Sequence, residues 1–215
     1  MGYSTFCRNL NELDFRLKRP RPKAHLADPA AQAAFVAKVQ AGMQDETLDI
    51  WFTDETSFWG DPLRYRVWAR KGVQPTVPYL GHHYRTCVMG AVRPRDGKFV
   101  SLIVSTGDSQ LFQVFLDHLN QHLDPQRQTL LILDNVSFHK AKCLKWGKIT
   151  PGYLPSYRPE LNPIELLWGR IKPRHFSRQL ALSQEQLDDR VAKALVIYQE
   201  NPDQVKTTCS MAAYL

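Results

Sequence analysis

The sequence predicts an α/β domain in which helices flank a mixed β-sheet. Apolar runs rich in β-branched and aromatic residues are typical of strands, and they occur near 48–54, 84–92, 98–105, 128–134 and 149–154. Apolar residues at helical spacing predict helices between and after these strands. The resulting order is three strands, a helix, and then a strand–helix–strand–helix alternation, which indicates one sheet covered by helices.

The N-terminal part of the chain is predicted to be a short helix followed by a cationic arm. The helix spans about 4–13 and begins at Ser4 or Thr5, either of which can cap it. The arm is stiffened by two prolines, and its five cationic side chains are Arg16, Lys18, Arg19, Arg21 and Lys23. A second helix is predicted at about 29–40 from its apolar spacing.

Local signals place the other connections and helices. Arg93–Gly97 supplies a turn that contains both proline and glycine between the second and third strands. The stretch at about 58–82 is longer than a usual connection and indicates an insertion. Helices are predicted at about 109–123, near 140–144, and at about 184–200, where Ser183 opens the last helix with capping-box spacing.

Two predicted strands end at carboxylates. The first runs into Asp54 and Glu55, and the fourth, a continuous apolar run typical of a central strand, ends at Asp134. Alternation places Asp54 and Glu55 on opposite faces of the sheet, so we expect Glu55 to form a salt bridge or stabilise the fold. An aspartate at the end of a buried strand is costly unless it caps, pairs or binds a cation.

A third carboxylate, Glu165, follows a proline-rich loop at the start of a predicted helix. Asn162 occupies the N-cap position and Pro163 the first helical position. One apolar stripe then faces the core, formed by Ile164, Leu167, Trp168 and Ile171. Glu165, Gly169 and Lys172 fall on the opposite side.

Glu165 has two interpretations at this stage. The spacing from Asn162 to Glu165 is that of a capping box, in which the carboxylate bonds back to the N-cap N–H. Alternatively, Glu165 joins Asp54 and Asp134 in one functional site. Three carboxylates brought together would repel one another, and we then expect at least one of them to have a raised pKa in the absence of metal.

Composition narrows the class of protein. The 28 Lys and Arg residues against 21 Asp and Glu give a net charge of +7, which favours a polyanionic partner. The four cysteines form no C-x-x-C pair, which argues against a zinc site and fits reduced thiols. No apolar run approaches the length of a membrane span, and there is no signal-peptide core, so we expect a cytoplasmic protein without a membrane partner.

The acidic motifs together resemble the catalytic core of DDE transposases, most closely the bacterial insertion sequence 630 family, relatives of the mariner elements. The matching motifs are Asp54-Glu55, the segment DNVSFH at 134–139 and the segment PELNPIELLW at 159–168. The interval from Asp134 to Glu165 is close to that family's spacing. RVWARKG at 66–72 also resembles a segment that follows the first aspartate in these proteins.

The resemblance implies an RNase H-like fold in which the first and fourth strands are neighbours, so that Asp54 lies beside Asp134. It implies a catalytic and metal-binding role for Asp54, Asp134 and Glu165, with two Mg²⁺ ions, replaceable by Mn²⁺, and Asp134 bridging them. Within the matched motifs, Asn135 and His139 are expected to orient Asp134 or to contact DNA. Arg158, Arg170 and Lys172 flank Glu165 and are candidate phosphate contacts.

The resemblance also implies DNA partners. Relatives carry a helix-turn-helix region before the catalytic domain, and here only residues 4–13 correspond to its last helix. We therefore expect residues 1–27 to be a remnant of that region with its basic linker, and residues 28–215 to be the catalytic domain. The expected partner is double-stranded DNA, as element ends and target. A homodimer, or a DNA-binding polypeptide from an upstream reading frame, would complete the assembly near the bacterial nucleoid.

Three functional hypotheses remain at this stage. The first is a metal-dependent transposase catalytic domain that cleaves and joins DNA strands for an insertion sequence. The second is a non-catalytic remnant or DNA-binding partner that keeps the fold. The third is a metal-dependent nuclease with another cellular use. Retention of all three carboxylates favours catalysis.

Overall fold

A five-stranded mixed sheet organises the molecule, with strand order β3-β2-β1-β4-β5. Its strands are β1 (Leu48–Trp59), β2 (Arg85–Arg93), β3 (Lys98–Val104), β4 (Gln128–Leu133) and β5 (Ile149–Tyr153). The first three strands are antiparallel neighbours, and β4 and β5 run parallel to β1. The computed structural model describes residues 2–15, 28–64, 68–81, 83–177, 180–209 and 211.

In the part of the chain that the structure describes, six α-helices surround or precede the sheet. They are α1 (Tyr3–Glu12), α2 (Pro29–Gln44), α3 (Ser109–Asn120), α4 (Pro163–Phe176), α5 (Gln184–Gln199) and α6 (Pro202–Thr208). Short 3₁₀ turns at Ser137–Lys140 and Pro159–Leu161 precede β5 and α4. None of the helices in the described part of the chain is long and apolar enough to cross a membrane.

Each face of the sheet has its own core, because side chains alternate along the strands. Ile50 and Phe52 point toward α4 and α5, together with the buried stripe of α4. Trp51 points to the opposite face, where α3 packs with Phe112, Phe115, Leu116 and Leu119. Residues 54 and 55 continue this alternation, so that Asp54 belongs to the α4 face.

The predicted strands and the apolar stripe of α4 are confirmed. β1 continues to Trp59 rather than ending at residue 54, and α2 extends to Gln44. The helix predicted near 140–144 is wrong: the structure has the 3₁₀ turn at Ser137–Lys140 instead. Helix α6 was not predicted, because its seven residues are too few to display helical periodicity.

Two predicted local features are also present. The Ser183 side chain caps α5 by accepting a hydrogen bond from the Gln186 N–H. The turn after β2 contains Gly97 at φ +75°, and a Cβ at this position would lie 1.9 Å from the carbonyl oxygen of Pro202 at the start of α6. Only glycine therefore allows this turn to contact α6 so closely.

The N-terminal region is described in part. Helix α1 has no buried residue, and α2 begins at an Asp28 cap, whose side chain accepts from the Ala30 N–H. The predicted cationic arm lies outside the described residues. Between β1 and β2, the described residues of 60–84 form no helix or strand.

Candidate active site

The parallel pairing of β1 and β4 brings two of the predicted carboxylates together. Phe52 pairs with Ile132 across the two strands. Two residues further along each strand stand Asp54 and Asp134, and β4 ends at Leu133, directly before Asp134. The predicted neighbourhood of the first and fourth strands is thus confirmed, and Asp54 and Asp134 both lie just past the stretch over which β1 and β4 pair.

Helix α4 is attached to β1 at this point. The buried Asn162 donates from Nδ2 to the carbonyl oxygen of Thr53, at 3.1 Å. Its side chain makes no capping hydrogen bond, although Asn162 is the N-cap residue and Pro163 follows at the first helical position. The backbone N–H of Asn162 donates to the carbonyl oxygen of Pro159 at 2.9 Å and not to the Glu165 carboxylate, so the capping-box interpretation is wrong. Glu165, exposed in the first turn of α4, is directed to the site.

A cavity of about 400 Å³ lies between these elements. Its carboxylates are Asp54, Glu55 and Glu165, and its cationic side chains are Arg85 and Lys172. Asp134 lines a different cavity of about 420 Å³, together with the loop 154–159. The structure therefore places Asp54 and Glu165 in one cleft and Asp134 in another.

Asp54 is the most electrostatically perturbed carboxyl of this site. Burial, followed by the negative charges of Glu165, Glu55 and Asp134, raises the pKa of Asp54 to about 8. The expectation that at least one carboxyl would have a raised pKa is confirmed. Within the described ranges, however, no three His, Cys, Asp or Glu side chains are already arranged to hold a metal ion.

His139 connects the second carboxylate to the first strand. The ring is fully buried, with Nδ1 2.8 Å from Asp134 Oδ1 and Nε2 2.9 Å from Glu55 Oε1. Burial alone would lower the pKa of His139, but the hydrogen bonds to Asp134 and Glu55 outweigh it and raise the pKa to about 9. A protonated ring donates to both carboxylates, so His139 holds β1 and the end of β4 together.

The surroundings of Asp134 differ from those of Asp54. Burial raises the pKa of Asp134, but hydrogen bonds from His139 and from the Val136 N–H outweigh it and lower the pKa from its usual value. Asn135, the other matched residue of this motif, donates to the carbonyl oxygen of Leu154 and accepts from Lys140. Asn135 therefore ties the end of β4 to the loop after β5. Glu55, as predicted from alternation, has a structural partner in His139.

Sequence reasoning missed a further contact in the site. Trp168, predicted as a core residue, is buried, but its Nε1–H also donates to Oδ2 of Asp54 at 3.2 Å. The signal was available in principle, because a buried indole N–H usually finds an acceptor. The sequence alone did not indicate which acceptor faces it.

The three predicted phosphate contacts near Glu165 occupy different environments. Lys172 lines the cavity, where burial lowers its pKa even though Glu165 and Asp54 act to raise it. Arg158 is half-buried and forms an ion pair with Glu160 at 3.0 Å. Arg170 is exposed. The five predicted cations from Arg16 to Lys23 lie outside the described residues.

The family is decided by a sequence comparison. Residues 49–188, which include all three carboxylates, match the model of the DDE superfamily endonucleases. This chain belongs to that family. Residues 1–39 match a winged helix-turn-helix model, a match that extends beyond residue 27 into α2.

This member of the DDE family is similar in sequence to a bacterial protein and in fold to solved structures. An uncharacterized protein of Sinorhizobium fredii (strain NBRC 101917 / NGR234), y4pE/y4sA, is 33% identical over 94 residues, which are 43% of this chain and 70% of that protein. The crystal structure of the Mos1 strand transfer complex aligns with a TM-score of 0.68 at 15% identity, over 98% of this chain and 69% of that chain.

A second Mos1 structure isolates the catalytic domain. The catalytic domain of Mos1 mariner transposase aligns with a TM-score of 0.57 at 12% identity, over 92% of this chain and 98% of that domain. At such identities the similarity shows a shared fold and does not transfer an activity. The predicted RNase H-like fold, a mixed five-stranded sheet flanked by helices, is thereby confirmed for this DDE endonuclease.

Proposed function

We propose that this chain is the catalytic part of a DNA transposase of the insertion sequence 630 type, which cleaves and joins strands with two divalent metal ions. The supporting observation is the environment of Asp54 in β1. This carboxyl lies among Glu165, Glu55 and Asp134 and has a pKa of about 8. A site that gathers more negative charge than it neutralises is suited to a divalent cation.

The residues fit Mg²⁺ or Mn²⁺ by their chemistry. Asp54, Asp134 and Glu165 offer hard oxygen ligands, and Mg²⁺ needs only a few carboxylates besides water and substrate phosphate. Asp54, Asp134 and Glu165 would hold the ions. When bound, the ions supply Lewis-acid activation of the attacking water or 3′-hydroxyl and stabilise charge on the leaving oxygen. Mos1 paired-end complexes have been solved with Mn and with Mg.

The other residues of the site would hold substrate and ligands in place. His139 keeps Asp134 and Glu55 at a fixed separation through its two hydrogen bonds. Lys172, at the edge of the cavity, would attract a DNA phosphate. Duplex DNA is the proposed substrate. It would be bound by the region that matches a winged helix-turn-helix and by the cationic residues 16–23. A second copy of the chain or another polypeptide would complete the assembly.

The experiment is a strand-cleavage assay with the whole chain on duplex DNA carrying the inverted repeats that flank its gene. Cleavage should require Mg²⁺ or Mn²⁺, stop with a chelator, and be lost in Asp134→Asn. Glu200→Gln removes one negative charge at the exposed end of α5 and serves as the matched control, with unchanged cleavage. Metal-independent cleavage, or full activity of Asp134→Asn, would contradict the proposal. DNA binding without any cleavage would favour the non-catalytic remnant.

A further inference from the structure

Trp168 approaches the site from the core side of α4. It lies three residues after Glu165 on the same helix, and its ring is only 2% exposed. Its Nε1–H donates to Oδ2 of Asp54. Helix α4 therefore brings two groups to the surroundings of Asp54: the carboxylate of Glu165 and a neutral hydrogen-bond donor, the indole N–H of Trp168.

The sheet is shaped to receive this indole ring. Gly90 of β2 pairs with Asp54 of β1, and a Cβ on Gly90 would lie 2.8 Å from two carbons of the Trp168 ring. The absence of a side chain at Gly90 thus lets the ring lie directly against the strand pair. Phe58 and Phe99 contact the ring edge-on, with centroids 6.4 Å and 5.8 Å away. These contacts determine where the N–H points.

We propose that Trp168 is a positioning residue for the metal site: it fixes the orientation of the Asp54 carboxylate. This role rests on the proposed function. A carboxylate held at Oδ2 no longer rotates freely about its Cβ–Cγ bond, so the direction of its other oxygen is set before a metal ion binds. Partners of this kind, which orient a ligand without touching the metal, typically change metal affinity or activity about 10–100-fold when removed.

The chemistry of the donor suits this role. An indole N–H donates but cannot accept, and it carries no charge. It therefore orients Asp54 without neutralising the carboxylate and without competing for the metal as a ligand. A lysine or arginine in the same place would do both, because its positive charge would occupy the position of the cation.

A purely structural role for Trp168 makes a different prediction, and an isosteric replacement separates the two. In 3-benzothienylalanine, sulfur replaces the indole N–H while size and shape are kept. Trp51 offers a matched control, since it is fully buried on β1, the strand that carries Asp54, and its Nε1 has no hydrogen-bond partner among the described residues. The same replacement at 51 removes a donor that makes no hydrogen bond there.

The experiment introduces this replacement at 168 or at 51 in the whole chain and measures Mn²⁺ binding by titration calorimetry. At 168 we expect the dissociation constant of Mn²⁺ to rise about tenfold or more, with the melting temperature within a few degrees of wild type. At 51 both quantities should stay unchanged. Trp168→Phe, if it folds, should weaken Mn²⁺ binding similarly, and the Mn²⁺ concentration for half-maximal cleavage should rise in parallel.

Nuclear magnetic resonance gives a readout that needs no metal. The indole N–H signal of Trp168, assigned by its absence in Trp168→Phe, should move in Asp54→Asn, while that of Trp51 should not. An unmoved Trp168 signal would overturn the contact. Unchanged Mn²⁺ affinity of the 168 replacement, with wild type binding Mn²⁺, would overturn the positioning role and leave the proposed function standing. A wild-type chain that binds no Mn²⁺ would overturn both.

Discussion

Strand β1 carries two aspartates, one at each end of the stretch that pairs with β4, and the two have opposite surroundings. At the start of this stretch, Asp49 is 2% exposed and both of its oxygens are hydrogen-bonded, one by Arg93 and the other by Arg127. Just past its far end, Asp54 lies among other carboxylates, and its pKa is raised to about 8. The same residue type is thus neutralised at one end of this stretch and left unbalanced at the other.

The difference separates a structural use of charge from a functional one. A buried carboxylate surrounded by guanidinium groups is satisfied within the fold and has no capacity for a ligand. A carboxylate that remains under repulsion destabilises the fold, and such an arrangement persists where a ligand relieves it. Asp49 therefore belongs to the scaffold, and Asp54 to the site.

The largest expected effect on strand cleavage comes from Glu165→Gln, beside Asp54. A neutral amide is a much poorer ligand than a carboxylate for a hard cation. Since the Glu165 side chain does not take part in a capping box, its removal has little to destabilise. We expect metal-dependent strand cleavage to be abolished while the melting temperature stays within a few degrees. Retained cleavage, or a large loss of stability with cleavage intact, would return Glu165 to a structural role.

A change at the neutralised end should act on stability instead. Asp49→Asn leaves the Arg127 guanidinium group without its carboxylate and Arg93 with Asp96 as its remaining partner. Removing one partner of a buried ion pair costs about 3–5 kcal/mol. We expect denaturant unfolding to show a loss of about 3 kcal/mol, with Mn²⁺ affinity per folded molecule unchanged. An equally large effect on Mn²⁺ affinity would erase the distinction between the two ends.

An effect of opposite sign is expected at Asp54 in metal-free protein. Its pKa is raised from 3.8 to about 8 on folding, so between these values the folded state binds more protons than the unfolded state. Stability is therefore highest below about pH 4 and is lost as pH rises through about 8. Since one pKa unit corresponds to about 1.4 kcal/mol, Asp54→Asn removes this loss and should stabilise the metal-free chain at pH 7 by up to about 4 kcal/mol.

The pH dependence provides the control for this prediction. Wild type and Asp54→Asn should have similar stability near pH 4 and diverge up to about pH 8, as followed by denaturant unfolding at a series of pH values. Excess Mn²⁺ should stabilise the wild type alone. A constant difference at every pH would show that the substitution acts through packing and not through the charge of Asp54.

Much of the fold could be predicted from local signals. The strands followed from apolar runs and the stripe of α4 from helical spacing, whereas the proximity of Asp54 and Asp134 followed from the fold that the resemblance to DDE transposases implies. The strands and the stripe depend on neighbouring residues in the chain, for which periodicity and turn chemistry are strong evidence. Helix α6 and the 3₁₀ turn at Ser137–Lys140 were missed because such short elements display no periodicity.

The side-chain contacts of the site could not be predicted in the same way. Asn162 had the spacing of a cap, yet its side chain bonds the Thr53 carbonyl, because docking of α4 on β1 offers a buried acceptor there. The contacts of Trp168 with Asp54 and of His139 with Glu55 join residues 114 and 84 positions apart. Such pairs depend on how a helix sits on a sheet, which local spacing does not specify.

The central claim is that the carboxylate site around Asp54 binds divalent metal ions. Anomalous diffraction from crystals grown with Mn²⁺ tests this claim most directly. The account predicts anomalous peaks within coordination distance of the carboxylates of Asp54 and Asp134, with Glu165 turned inward to complete the site. Crystals of Asp54→Asn grown in the same way should lose the peak at residue 54. A site without anomalous density at saturating Mn²⁺, or Mn²⁺ bound only elsewhere on the molecule, would contradict the account.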